Sequence, residues 1–152
     1  MDFAGLARIN GAAAESRTLQ TAVLLGIFDA VADGPRVAGD FTHDPLPLGC
    51  DLGFLANIIH GEDEAGVQVR LRPAAALPSG GRIVIKDRIL DASLTRSPVG
   101  ALFSLEMLLG TRGRDSSFEE VREWLHAAGF GSITHRPLAA PLTLLLVTAV
   151  KP

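Results

Sequence analysis

Two residues are of the right type and place to do acid–base chemistry: His60 and Asp87. A neutral imidazole takes up or gives a proton near physiological pH, and a carboxylate beside it can orient the ring and stabilise its charged form. Asp51 to His60 reads as a short buried strand ending in the histidine, Gly61-Glu62-Asp63-Glu64 opens a helix running to Leu77, and Arg82 to Asp87 reads as a second strand. Strand, helix and strand in that order form a right-handed crossover with parallel strands. Such units gather their chemistry at the carboxyl ends of the strands, which here carry His60 and Asp87.

The elements around this unit follow from pattern. Residues 2 to 33 are helical in pattern, with Leu19, Val23, Leu24, Ile27, Phe28 and Val31 at three- and four-residue steps until Asp33-Gly34-Pro35 stops them. Their apolar face is wide enough to pack against another subunit. Arg36 to Gly49, rich in Pro, Gly and Asp, reads as a connector. Beyond the crossover, Val99 to Leu109 reads as a helix, and Ser117 with Glu120 has capping-box spacing for the next, which ends at Gly129. Ser132 to Arg136 and Leu142 to Val150 are two strands joined closely enough to pair antiparallel. Trp124 reads as a core anchor, and Cys50 as small apolar filler ahead of a buried strand.

Composition narrows the function classes. Over 152 residues the formal net charge is −3 and no basic cluster stands out, which argues against a nucleic-acid surface. Apolar runs are too short to span a bilayer. A single cysteine rules out an internal disulfide framework, and the expectation is a soluble, cytoplasmic protein. His43, His126 and His135 are scattered, so no metal site is expected.

Several stretches together resemble one family, the dimeric S-adenosylmethionine-dependent O-methyltransferases of the plant caffeate type and their bacterial relatives in polyketide tailoring. These stretches are Gly39-Asp40-Phe41 with Asp44-Pro45-Leu46-Pro47, Asn57-Ile58-Ile59-His60 with Asp63-Glu64, Pro78-Ser79-Gly80-Gly81-Arg82 with Asp87, and Arg114-Asp115 ahead of Trp124-Leu125 and Ala127-Ala128-Gly129-Phe130. Ser16-Arg17, Ala22-Val23 and Leu25-Gly26-Ile27-Phe28-Asp29-Ala30 resemble the family's N-terminal dimerisation helices. The implied architecture is α/β: residues 1–35 a helical dimerisation segment, and residues 39–152 the C-terminal half of a Rossmann-like sheet of about four strands, the last pair antiparallel.

The resemblance implies that His60 deprotonates a phenolic hydroxyl, with Asp87 and Asp115 as the acids flanking it. Phe103, Met107 and Leu102 lie on the helix that lines the family's substrate pocket, and as a plain alternative they are core. Asp40 matches an adenine-contacting position, with a turn role as its alternative. Between Pro35 and Gly39 the family carries a winged-helix region and three strands that include its glycine-rich cofactor loop. Here no Gly-x-Gly-x-Gly follows any strand, and Gly80-Gly81 precedes one. The expectation is therefore a truncated O-methyltransferase-like protein working by acid–base chemistry at His60 on an aromatic or polyketide-type molecule, of cyclase, isomerase or hydrolase type, with no cofactor. Retained S-adenosylmethionine-dependent methyl transfer and a non-catalytic assembly subunit are the alternatives. A strand left at a sheet edge by the missing region needs cover, so a homodimer with intertwined N-terminal helices is expected.

Overall fold

The computed structural model describes residues 49–152 apart from 75, 76, 95 and 139–143. The expected dimerisation helices, the connector up to residue 48 and Asp40 lie outside the described residues, as does His43.

Sheet order is β1-β2-β5-β4, with β1 Leu52–Ala56, β2 Arg82–Leu90, β4 Gly131–Pro137 and β5 Leu144–Val150. The short strand β3, Ser116–Ser117, adds to the end of β2 through Ile89 and Leu90. β1 and β2 pair in parallel from Leu52↔Arg82 to Ala56↔Lys86, as a right-handed crossover requires. β5 lies antiparallel between β2 and β4, so the chain's last strand enters the sheet interior. The helices are α1 Glu64–Ala74, α2 Pro98–Gly110 and α3 Phe118–Ala127.

One sheet face forms the core. Ile83, Ile85 and Ile89 of β2 and Val147 and Ala149 of β5 meet Val67, Leu71 and Ala74 of α1 and Val121, Trp124 and Leu125 of α3. Trp124 is thus the core anchor expected of it. α3 begins in a complete capping box: Ser117 Oγ accepts from the Glu120 N–H, and the Glu120 carboxylate accepts from the Ser117 N–H. α2 begins at Ser97, whose hydroxyl accepts from the Gly100 N–H, with Pro98 supplying the fixed φ of a first helical residue. Gly100 lets α2 come down onto Leu90, because a Cβ there would collide with the leucine side chain.

The crossover differs from the sequence expectation in its boundaries. β1 stops at Ala56, four residues short of His60, because Asn57 turns into the left-handed region at φ 56°, which asparagine tolerates better than most side chains. Ile59–Gly61 is a single 3₁₀ turn, and α1 starts only at Glu64, behind Asp63, whose carboxylate accepts from the Gly66 N–H. α1 is described as far as Ala74, and Leu77, beyond the two residues left undescribed, is no longer helical. β2 runs on to Leu90 because β5 pairs with it through Arg88 and β3 takes the next two residues, so Asp87 sits inside the strand rather than at its end. β1 is half-buried, with Leu52 exposed, rather than covered on both faces, and Cys50 is exposed rather than packed as filler.

The capping box gives a direct test of how α3 is anchored. Ser117→Ala removes the side-chain acceptor for the Glu120 N–H and is expected to cost about 1 kcal/mol in denaturant unfolding. An unchanged midpoint would mean that packing alone fixes this helix end.

Candidate active site

Asp87 is fully buried and accepts four hydrogen bonds. One oxygen, Oδ2, accepts from the backbone N–H groups of Ile58 at 3.1 Å and Ile59 at 2.9 Å. The other, Oδ1, accepts from the Arg88 N–H at 2.8 Å and sits 2.5 Å from His60 Nδ1. Three of these partners are backbone donors, so the carboxylate is held as an acceptor and the imidazole donates from Nδ1. Nε2 is then the nitrogen that carries the free lone pair. A histidine whose Nδ1–H is fixed on a buried carboxylate is the arrangement of a general base.

The turn carrying His60 is clamped on three sides. Ile59 is buried in the core. Asp87 binds the backbone on each of the two residues before the histidine. Behind the turn lies Gly113, where a Cβ would run into the His60 carbonyl oxygen and the backbone of Gly61 and Glu62. Glu62 ties the same region down through ion pairs with Arg70 of α1 and with Arg112, the latter at 3.5 Å. Sequence reading did not single out Gly113, although a glycine in Gly110-Thr111-Arg112-Gly113-Arg114 was legible as a helix stop. What made it necessary was a close approach between segments fifty residues apart.

α2 contributes Phe103, whose ring meets the His60 imidazole edge-on, with centroids 5.1 Å apart and planes at 80°. Of the three pocket-lining residues expected on this helix, Phe103 reaches the histidine. Met107 is half-buried further along the helix. Leu102 is 69% exposed and, as the chain neighbour of Phe103, faces about 100° away from it around the helix.

Asp115 lies in the same neighbourhood but makes a different contact from the one expected. It does not hydrogen-bond His60; its Oδ2 stands 3.8 Å from Arg88 Nε, too far for a hydrogen bond. Both of its carboxylate oxygens are buried without a hydrogen-bond partner among the described residues. Burial pushes its pKa up to about 7, against the opposing pull of Arg88 and His60, and the Asp87 charge adds to the rise. Arg88, which sequence reading passed over, lays its guanidinium over the Phe103 ring at 4.0 Å from the centroid. Lys86, also buried, turns to the carbonyl of the Asn57 side chain at 2.8 Å, which steadies the left-handed residue ending β1. Among the described residues there is no cluster of metal-ligating side chains. A pocket of about 160 Å³ opens beside the His60 turn between Glu62, Arg112, Arg114 and Trp124, but His60, Asp87 and Phe103 do not line it.

The model of the O-methyltransferase domain family matches residues 28–131. The chain is 36% identical over 115 residues to 3-hydroxy-5-methyl-1-naphthoate 3-O-methyltransferase of Streptomyces sahachiroi, an alignment covering 75% of this chain and 33% of that protein. It is 33% identical over 113 residues to the tetracenomycin polyketide synthesis 8-O-methyl transferase TcmO of Streptomyces glaucescens, covering 71% and 32%. Among solved structures, human N-acetylserotonin methyltransferase in complex with S-adenosylmethionine superposes with a TM-score of 0.70 at 28% identity, over 76% of this chain and 33% of that one. The chain thus spans about a third of the length of the relatives it matches.

Two outcomes check the site. Asp115 takes up a proton on folding between its ordinary 3.8 and about 7, so its contribution to stability is fully present below that window and lost as pH rises through it. The thermal midpoint of Asp115→Asn relative to wild type is therefore expected to rise from about pH 4 to about pH 7 and to level off above it. A constant difference across that range would contradict the buried-acid assignment. Gly113→Ala is expected to cost about 1 to 3 kcal/mol in chemical denaturation, because only backbone stands in the way of the added methyl and it must shift.

Proposed function

The chain belongs to the O-methyltransferase domain family, and from that premise we propose that it carries the acceptor side of such a site, with His60 Nε2 as the base that removes the proton from a hydroxyl on an aromatic, polyketide-type substrate. The observation that carries this reading is the fixed tautomer: Asp87 holds Nδ1–H, which leaves Nε2 as proton acceptor beside the Phe103 ring. Phenols ionise within reach of imidazole, so a base of this kind lowers the barrier to any reaction at the phenolic oxygen. Asp87 stabilises the imidazolium formed as the proton arrives and keeps the ring from turning. Phe103 offers an aromatic neighbour against which a planar substrate can pack. One relative is named for a hydroxylated naphthoate and another for tetracenomycin polyketide synthesis, which supports the substrate class.

S-adenosylmethionine is the methyl donor that family membership implies. Gly80-Gly81, which precedes a strand rather than following one, does not offer it a glycine-rich loop: the Gly80 N–H donates to the Lys151 carbonyl at 2.9 Å and the Gly81 N–H to the Pro78 carbonyl at 2.8 Å. The N–H groups after β1 are taken by Asp87. No step is therefore routed through the cofactor. That same commitment favours a second reading, in which His60 performs acid–base chemistry such as cyclisation, isomerisation or hydrolysis without methyl transfer.

The test is ionisation of a bound naphthol, read from its phenolate absorbance. Wild type is expected to show the phenolate at a pH where the free naphthol is neutral, and His60→Asn to lose it; an undiminished signal in His60→Asn would sink the reading. Turnover limited by this proton transfer should fall about 10²- to 10⁴-fold in His60→Asn and in Asp87→Asn. Adding S-adenosylmethionine then separates the two readings, because only methyl transfer yields a product in which a methyl group has replaced the hydroxyl hydrogen, a net gain of CH₂.

A further inference from the structure

We propose that Arg88 is a carboxylate receptor, so that the aromatic substrate is an aryl hydroxy acid whose acid group docks on the guanidinium while its hydroxyl faces His60. The proposal rests on His60 acting as base for an aromatic hydroxyl, and it names the substrate class of that site. Three observations carry it. Arg88 is 8% exposed, yet Nε and Nη1 have no hydrogen-bond acceptor among the described residues. A buried guanidinium left without acceptors is costly, and an incoming anion removes that cost.

Asp115, the carboxylate that faces the guanidinium, does not satisfy it. Asp115 stays 3.8 Å from Nε, and its own two oxygens are without partners as well. Two opposite groups, each buried and each unsatisfied, describe a site that something else completes. Asp115 is also the weaker competitor near neutral pH, since burial keeps its acid form populated to about 7. A ligand carboxylate accepting from the free Nη1 end of the fork gains the charge-assisted hydrogen bond that Asp115 does not make.

The third observation is placement. Arg88 and His60 both lie within 5.1 Å of the Phe103 ring centroid, one over its face and the other at its edge. They follow each other through Asp87 as well, whose Oδ1 accepts from both the Arg88 N–H and His60. Cation and base are therefore both set against one aromatic side chain. The relative from Streptomyces sahachiroi is named for a substrate of that pattern, a hydroxylated naphthoate.

The experiment is calorimetric titration of the full chain with 3-hydroxy-1-naphthoate and with its uncharged carboxamide. Wild type is expected to bind the acid at least about tenfold more tightly than the amide. Arg88→Met is expected to bring the two affinities to within about twofold by weakening the acid alone. Asp115→Asn, which leaves the guanidinium in place and removes its competitor, is expected to tighten the acid severalfold with the amide unchanged. Equal binding of acid and amide by wild type overturns the Arg88 assignment and leaves the His60 reading standing. Failure of wild type to bind either compound overturns both. Should Arg88→Met not fold, the wild-type preference together with the Asp115→Asn response decides the question.

Discussion

The site depends on one carboxylate. Asp87 belongs to β2, but most of its hydrogen bonds go to the segment after β1: two backbone N–H groups and the imidazole of His60. In a parallel pair the strand that ends first leaves polar backbone exposed beyond the last ladder bond, and buried N–H groups must find an acceptor. Asp87 supplies it. The same bonds that satisfy the end of β1 also determine where His60 sits and which of its nitrogens holds the proton. A buried carboxylate that accepts hydrogen bonds on both oxygens is compensated in a way that Asp115, with neither oxygen bonded, is not.

The contrast between the two acids organises the chemistry. Asp87 is surrounded by donors and behaves as a fixed structural anion. Asp115 is desolvated with only a distant guanidinium opposite, and its proton affinity rises accordingly. Two carboxylates near one histidine in the fold are thus driven apart in behaviour by their surroundings rather than by their type. Arg88 sits between these regimes, bound through its backbone to Asp87 and facing Asp115 with its side chain. The guanidinium carbon lies over the Phe103 ring, a contact that narrows the positions a flexible arginine ordinarily samples.

Much of this was legible in the sequence, and the parts that were not share a physical cause. The parallel crossover, the closing antiparallel pair and the Ser117–Glu120 capping box were read from hydrophobic period, turn residues and spacing, which are local signals. His60 and Asp87 were placed together because strand ends converge in such a unit. The end of β1 was misread because Asn57-Ile58-Ile59 is as apolar as a strand, while a turn there depends on an acceptor nearly thirty residues away. Arg88 escaped because a charged residue in a strand ordinarily points to solvent. Gly113 escaped because close approach between distant segments leaves no local trace.

The central claim is that Asp87 holds the proton of His60 on Nδ1 and frees Nε2. The most direct measurement is ¹⁵N–¹H correlation of the His60 ring in the uniformly labelled full chain, at a pH where the imidazole is neutral. A protonated Nδ1, with Nε2 showing the shift of an unprotonated nitrogen and the pattern lost in Asp87→Asn, is what the structure predicts. A neutral ring protonated on Nε2 would contradict it, because His60 would then present a donor rather than a base to its substrate.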